Sequence, residues 1–299
     1  TKMEKVDYKH NQYCLALGFF DCMHLGHRAI FRTGKKYAEE HGLMFGAFTF
    51  SQPIKKDGEN VAKQVYDFCE RKMLYAECGA EKIIAYPFTD EVKNTEAREF
   101  LDGLTGNYDI AAFVCGDDYT FGKYGAGDVR LLREYCDEKG IALVIAPTIE
   151  HSGKRISSTE IKSLLSVGDL KSCAELLGEK YFIYGEVVKG RGEGHVFGIP
   201  TANVSVSADK LLPKCGVYAC TADIDGRLYG AVTNVGAKPT FDDYSTTVEA
   251  LIEDFDGDLY GKYIKLSFSE YLRDIRKFDT PDELVGTIKN DIKRSKSLC

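Results

Sequence analysis

No stretch of this sequence approaches the ~20 consecutive apolar residues that a membrane-spanning helix needs. The first residues, Thr1 to Gln12, are polar and mixed in charge, without the apolar core of a signal peptide. Both absences lead us to expect a soluble, cytoplasmic protein with no membrane partner. Positive charge is also scarce. The chain carries 39 Lys+Arg against 46 Asp+Glu, a net charge of −7. The deficit is even: 24 against 28 in residues 1–180, and 15 against 18 in residues 181–299. Without a basic face, a nucleic-acid partner is not expected, and an anionic substrate must be held by local donors. None of the ten cysteines forms a Cys-x-x-Cys pair, which argues against a structural zinc site or a thioredoxin-like redox motif. Several lie in apolar segments, as Cys14 does before Leu15 and Cys115 after Val114, and read as buried thiols in a reducing compartment. Internal repeats and low-complexity stretches are missing too.

What remains is a 299-residue chain, 44% hydrophobic and 28% charged, which suits about two globular domains of roughly 150 residues. The first half alternates strand-like segments (Leu15–Phe20, Leu43–Phe50, Lys82–Tyr86, Ile110–Cys115, Ile141–Ala146) with helix-like ones (Ala29–Glu40, Val61–Cys78, Thr95–Leu104, Val129–Lys139). This rhythm predicts an α/β domain: a Rossmann-like parallel sheet covered on both faces, with ligands beyond the carboxyl ends of the strands. Two further helical segments, Thr159–Leu165 and Leu170–Leu177, lead to a boundary near Gly178–Tyr181. The expected domains are therefore 1–179 and 180–299. In the second, Tyr181–Val188, Val217–Ile224, Leu228–Val235, Val248–Glu253 and Tyr263–Phe268 read as strands, with Asp225-Gly226 as a hairpin turn. A helix from Pro281 to Lys296 follows. The expectation is a mainly antiparallel sheet or β-barrel with a C-terminal helix.

The first strand runs into Gly18-Phe19-Phe20-Asp21-Cys22-Met23-His24-Leu25-Gly26-His27, which opens a helix. Histidines three apart in a first turn share a side, and the helix start adds unpaired N–H groups and partial positive charge. Gly26 leaves room for a nucleotide to approach the backbone. Such an arrangement suits nucleotidyl transfer, where charge on the α-phosphate must be stabilised and pyrophosphate must leave. The histidine pair has no third ligand at suitable spacing, so a metal site is not expected there.

Here the sequence resembles the His-x-Gly-His nucleotidyltransferases, and most of all the N-terminal domain of bacterial bifunctional riboflavin kinase/FAD synthetases. Arg155-Ile156-Ser157-Ser158-Thr159, followed by Lys162, is similar to the family segment that holds the ATP phosphates. Val114-Cys115-Gly116-Asp117-Asp118-Tyr119-Thr120-Phe121-Gly122 is similar to its flavin loop, which implies a flavin-facing Asp118. The resemblance adds Gly18, Phe19 and Gly26 as nucleotide-binding positions, and His24 and His27 as catalytic ones. Three departures stand near this site: Cys22-Met23 for Gly-Val, Lys162 for arginine, and after Thr49-Phe50 a single shifted Pro53 for two prolines.

In the second half, Gly190 to Gly198 is glycine-rich, and four glycines in nine positions suit a loop whose N–H groups converge on an anion. It is neither a Walker A loop nor a dinucleotide fingerprint. Pro200-Thr201-Ala202-Asn203 follows, with a hydroxyl and an amide two residues apart on extended chain and hence on one side. Both offer neutral oxygens to Mg²⁺ and phosphate. This signature resembles the riboflavin kinases, whose other landmarks follow in order: Gly216-Val217-Tyr218-Ala219, Asn234-Val235-Gly236, Pro239-Thr240-Phe241, Val248-Glu249, Tyr260-Gly261 and Leu272-Arg273. The resemblance implies Glu249 as general base, Arg273 at the flavin, and Gly190, Gly192, Gly194, Pro200, Thr201 and Asn203 around ATP, with Thr201 and Asn203 as metal ligands. Lys189 and His195 stand where the family often has histidine and arginine.

Together these expectations describe an enzyme of FAD biosynthesis with riboflavin, FMN and ATP as small-molecule substrates and Mg²⁺ as cofactor. Two rivals are a monofunctional riboflavin kinase with a weak or regulatory N-terminal domain, and a flavin-binding sensor that does no chemistry.

Overall fold

The computed structural model describes residues 12–52, 63–190, 201–237 and 246–297. The chain divides into two compact units, Thr1–Ser157 and Ser158–Cys299.

In the first unit, β1 (Tyr13–Leu17), β2 (Met44–Phe50), β3 (Lys82–Tyr86), β4 (Ile110–Cys115) and β5 (Ala142–Ile145) form one sheet in the order β3-β2-β1-β4-β5. All four pairings are parallel. The short buried runs of Ile, Val, Phe and Ala are what a sheet covered on both faces requires. Leu15, Leu17, Phe48 and Phe113 pack against Phe100, Leu101 and Leu104 of α4 (Ala97–Asn107) and Leu132 and Tyr135 of α5 (Val129–Lys139). Helix α1 (Leu25–His41) covers the opposite face. It approaches so closely at Gly34 that a Cβ there would stand 2.5 Å from the Phe45 ring and 2.6 Å from Val114. Gly42 ends α1 in the left-handed conformation, at φ 66°, as an αL cap demands.

The expected helix over 61–78 is shorter. Helix α2 spans Phe68–Glu77, because Asp67 and Glu70 form a reciprocal capping box that starts it there. Val65 and Tyr66, apolar on the helical period, are fully buried ahead of the cap. A short helix α3 (Asp90–Asn94), which the sequence pattern does not separate, precedes α4. A small hairpin of β6 (Glu150–His151) and β7 (Lys154–Arg155) completes the unit.

The second unit begins with α6 (Ser158–Val167) and α7 (Leu170–Leu177). The Lys214 amide donates to the Leu165 carbonyl (2.9 Å), tying the end of α6 to the segment around Lys214. Six strands then close into an antiparallel barrel: β8 (Phe182–Val188), β9 (Ala202–Val204), β10 (Gly216–Ile224), β11 (Arg227–Ala237), β12 (Thr246–Ile252) and β13 (Tyr263–Arg273). The order around the barrel is β10-β11-β12-β9-β8-β13. The turn between β10 and β11 is Asp225-Gly226, with φ of 54° and 83°, the paired left-handed conformation of a type I′ hairpin. Strand β9 was not expected. It has only three residues, but it pairs with β12 on one side and β8 on the other and so closes the barrel. Helix α8 (Pro281–Ser295) starts with Thr280 as N-cap and Pro281 in its first turn, as its sequence indicates. No helix among the described residues is long and apolar enough to cross a membrane. The nine described cysteines are all free thiols, six of them buried.

Candidate active sites

Strands β1 and β4 are neighbours at the centre of the first sheet, where the strand order reverses direction. The crevice beyond their carboxyl ends is where such sheets bind ligands. Two of the singled-out segments emerge there, residues 18–28 after β1 and 116–122 after β4. The chain after β1 turns sharply: Phe20 and Met23 both sit at positive φ, 49° and 45°, and both side chains are buried. Gly18 is required beside this turn, because a Cβ would stand 2.6 Å from the Phe20 ring.

The turn delivers His24 to the N-cap of α1, where its Nδ1 accepts the His27 amide hydrogen at 3.1 Å. An accepting Nδ1 bears no proton, so neutral His24 carries its proton on Nε2 and presents a donor. The rings of His24 and His27 stack at 3.8 Å and 16°. A Cβ on Gly26 would lie 2.9 Å from the His24 ring, so Gly26 makes room for the His24 imidazole itself. Burial pushes the His24 imidazole down to about 4, against the pull of Asp21. Burial and then the neighbouring His24 push His27 down to about 3. Both are therefore neutral near pH 7 and act as N–H donors beside the helix terminus, not as fixed cations.

These depressed values bear on stability. Both histidines have folded values below their ordinary 6.5. Between that value and about pH 4 the unfolded chain binds protons that the folded one refuses. The stability they permit is whole above pH 6.5 and is lost as the pH falls toward 4. Denaturant unfolding followed from pH 7 to 4.5 should show this loss, and His24→Asn, which keeps an N-cap, should flatten the slope. An unchanged slope would show that acid sensitivity arises elsewhere.

Arg155, at the end of β7, forms ion pairs with Asp117 (2.9 Å) and Asp118 (2.6 Å). The structure thus joins an expected phosphate ligand to the expected flavin-facing acid. Gly116 stands against this pair, with only 3.0 Å between an added Cβ and the Asp118 carboxylate. Ser158, Thr159 and Lys162 occupy the first turns of α6, in the second compact unit. Pro53 lies outside the described residues.

Two residues of this site escape a reading of the sequence. Arg71 of α2 is fully buried, and its guanidinium donates to the carbonyls of Phe19 (3.0 Å) and Phe50 (2.9 Å) and to the Thr49 hydroxyl (3.1 Å). The Thr49 hydroxyl in turn donates to the Phe19 carbonyl at 2.9 Å. Arg71 therefore fastens the segments leaving β1 and β2, and only its register on α2 hints at burial. Arg71→Leu would leave buried carbonyls unpaired and should cost roughly 3 kcal/mol or more of stability. Equilibrium unfolding in urea measures this directly; a loss under about 1 kcal/mol, the worth of one ordinary hydrogen bond, would deny Arg71 that role. The second is Cys22, whose Sγ lies 4.0 Å from His27 Nδ1. Its sulfur and the two imidazoles place ligand atoms within 4.8 Å of one another. The expectation that the pair lacks a third metal donor is corrected: positive φ at Met23 folds Cys22 back onto the helix start.

In the barrel, Glu249 of β12 stands directly opposite Asn234 of β11 and Asn203 of β9. Cross-strand partners share a face, so an amide–carboxylate–amide row crosses three strands. Thr201, Asn234, Glu249 and Arg273 line a cavity of about 300 Å³ whose other walls include Val217, Val232, Leu251, Phe278 and Leu284. The mixture of apolar walls and a few convergent polar groups suits a flat aromatic ligand with a hydroxylated tail. Thr201 also lines a smaller cavity of about 130 Å³ beside Val187, Phe255 and Tyr260, and so borders both. Arg273 is held by Asp291 of α8, with Nε at 2.9 Å and a terminal nitrogen at 2.8 Å from the same oxygen. Asn234 and Asp291 were not expected as site residues; register and helix docking bring them in.

Gly190 is required by close approach, since a Cβ there would fall 2.1 Å from the Asn203 amide. Gly192, Gly194, Pro200 and His195, with Pro239-Thr240-Phe241, lie outside the described residues. The oxygens of Thr201, Asn203 and Glu249 are a hard donor set, compatible with Mg²⁺.

Comparison with known proteins agrees with both halves. The family described as FAD synthetase matches residues 6–160, and the family described as riboflavin kinase matches residues 177–299. The bifunctional riboflavin kinase/FMN adenylyltransferase of Bacillus subtilis is 34% identical over 93% of this chain and 89% of its own length. Those of Listeria monocytogenes and Escherichia coli are 31% and 30% identical, each over 93% of this chain and 89% and 90% of their own. A crystal structure from Streptococcus pneumoniae, titled a macrolide-efflux protein, superposes with a TM-score of 0.84 at 28% identity, covering 98% of this chain and 97% of that one.

Proposed function

Because the chain belongs to the bifunctional riboflavin kinase/FMN adenylyltransferase family, we propose how its residues divide the two reactions. The enzyme serves FAD biosynthesis: it phosphorylates riboflavin to FMN with ATP and adenylylates FMN to FAD with release of pyrophosphate. Both families match, so neither the monofunctional kinase nor the sensor is favoured.

Phosphorylation is assigned to residues 180–299. The terminal ribityl hydroxyl attacks the γ-phosphorus of ATP, its proton passes to the Glu249 carboxylate, and ADP leaves. Asn234 and Asn203 flank Glu249 and aim it. Thr201 and Asn203 would hold Mg²⁺, which supplies charge neutralisation for the phosphates. Thr201 borders both cavities, which suits a residue that meets the γ-phosphate passed from nucleotide to flavin. Arg273, steadied by Asp291, borders the flavin, and Gly190 with Gly192, Gly194 and Pro200 surrounds the phosphates of ATP. The row Asn203–Glu249–Asn234 at the wall of an apolar cavity carries this reading.

Adenylyl transfer is assigned to residues 1–179. An FMN phosphate oxygen attacks the α-phosphorus, and pyrophosphate leaves toward Arg155; Ser158, Thr159 and Lys162 are assigned to the ATP phosphates by the family resemblance alone. His24 and His27 donate to the α-phosphate as charge develops, beside the start of α1. Gly18, Phe19 and Gly26 admit the nucleotide, and Asp118 faces the flavin. We place the enzyme in the cytoplasm, in keeping with its free cysteines.

A product assay tests the reading: purified protein with riboflavin, ATP and Mg²⁺, flavins separated over time, and a parallel reaction from FMN. Riboflavin passing through FMN to FAD is expected. FMN accumulating in both reactions would remove the adenylyl-transfer assignment.

A further inference from the structure

Three donors converge at the start of α1: the thiol of Cys22 and the imidazoles of His24 and His27, with ligand atoms all within 4.8 Å. Among the described residues no other group of histidine, cysteine and carboxylate side chains does so. We propose that Cys22, His24 and His27 form a site for a thiophilic divalent cation, Zn²⁺, and that its occupation blocks adenylyl transfer.

The chemistry of the donors selects the ion. One thiolate and two imidazoles form the soft-to-borderline set that zinc prefers, whereas Mg²⁺ seeks oxygen. Three protein ligands leave a fourth tetrahedral position for water. Zinc bonds of about 2.0–2.3 Å put tetrahedral donors roughly 3.3–3.6 Å apart, so the present donors must close by about 1 Å. His27 is only half-buried, and its ring has to turn out of the stack on His24 and away from the Phe20 ring to bring its nitrogen to the ion. Asp21, a buried acid close to both histidines, favours a cation here, while Arg155 opposes it.

Binding has one identifiable cost. Ligated through Nε2, neutral His24 would carry its proton on Nδ1; ligated through Nδ1, it would surrender that lone pair. Either way it can no longer accept the His27 amide, which is the N-cap of α1. A lost cap is a small penalty beside what a zinc–thiolate bond supplies. The block on adenylyl transfer rests on the proposed role of the two histidines. A metal on their nitrogens removes the donors assigned to the α-phosphate, while the barrel keeps its own site.

Cobalt(II) reads the site without catalysis. Titrated into the full-length protein, Co²⁺ should give a thiolate-to-metal charge-transfer band and the visible bands of a tetrahedral ion, saturating at one equivalent and displaced by Zn²⁺. Cys22→Ser and Cys22→Gly should abolish the spectrum, with thermal melts verifying that both fold. Cys69→Ser and Cys215→Ser, at exposed thiols, should retain it. No band in the wild type, or a band that survives both Cys22 substitutions, overturns the site. Losing even an outer partner costs roughly 10–100-fold in metal affinity, so the Zn²⁺ concentration that halves adenylylation should rise at least about tenfold in Cys22→Gly. Riboflavin phosphorylation should not change. A cobalt band with adenylylation untouched by Zn²⁺ would support the metal site and overturn the phosphate role of the histidines.

Discussion

Glu249→Gln is expected to lower the turnover of riboflavin phosphorylation by roughly 10²–10⁴-fold, the contribution of a positioned general base. The substitution changes one oxygen to an amide, so the fit against Asn234 and Asn203 is kept while the ability to take a proton is lost. The Michaelis constants for riboflavin and ATP should therefore move much less than kcat, since the apolar walls, Thr201 and Arg273 are untouched. FMN adenylylation by the same preparation is the internal control, because it belongs to the other set of residues. A glutamine variant that phosphorylates riboflavin normally would reduce Glu249 to a polar lining residue. A variant that loses both activities would point to misfolding.

The second large effect concerns the stacked histidines. His27→Ala should lower FMN adenylylation by about 10²–10³-fold, the cost of removing one donor from a site that stabilises developing charge. Riboflavin phosphorylation should persist. His24 offers a sharper test, because two roles can be separated there. His24→Ala removes both the imidazole and the cap of α1, which adds about 1 kcal/mol of destabilisation. His24→Asn restores a capping oxygen but not the Nε2 donor. Equal losses of adenylylation in the two variants, with stability recovered only in the asparagine, would assign the chemistry to the ring. Activity returning with the cap would instead make His24 a positioning residue for α1. Rates are best followed from FMN, so that a defect in one reaction cannot starve the other.

The parts of this enzyme that could be read directly are those governed by neighbours in sequence. Alternating apolar strands and capped helices announced a parallel sheet, and β2 to β5 appear where their apolar runs lie, while β1 is Tyr13–Leu17 and not Leu15–Phe20, because the chain turns at Phe20 and Met23. Asp225-Gly226 produced its hairpin because the turn's backbone conformation is decided within two residues. The motif around His24 was legible for the same reason: a helix start, a glycine and two histidines three apart define their own geometry. Over Val61–Cys78 two local signals compete. The apolar period continues through Val65 and Tyr66, yet the capping box of Asp67 and Glu70 sets the start of α2 later.

Composition, period and local motifs thus determined the class of each half, most of its elements, and the chemistry of both sites through the resemblance they carry. Tertiary structure decided who stands beside whom. Three-residue β9 is too short to announce itself, yet only its pairing with β12 and β8 closes the barrel and sets Asn203 against Glu249. Asn234 reaches that row through strand register, Asp291 reaches Arg273 through the docking of α8, and Arg71 crosses from α2 to the ends of β1 and β2. Cys22 joins the histidines only because the backbone at Met23 turns left-handed. Local signals follow torsional preference and hydrophobic period, which act over a few residues. Partnerships between distant residues depend on register and packing, which exist only once the chain has closed on itself.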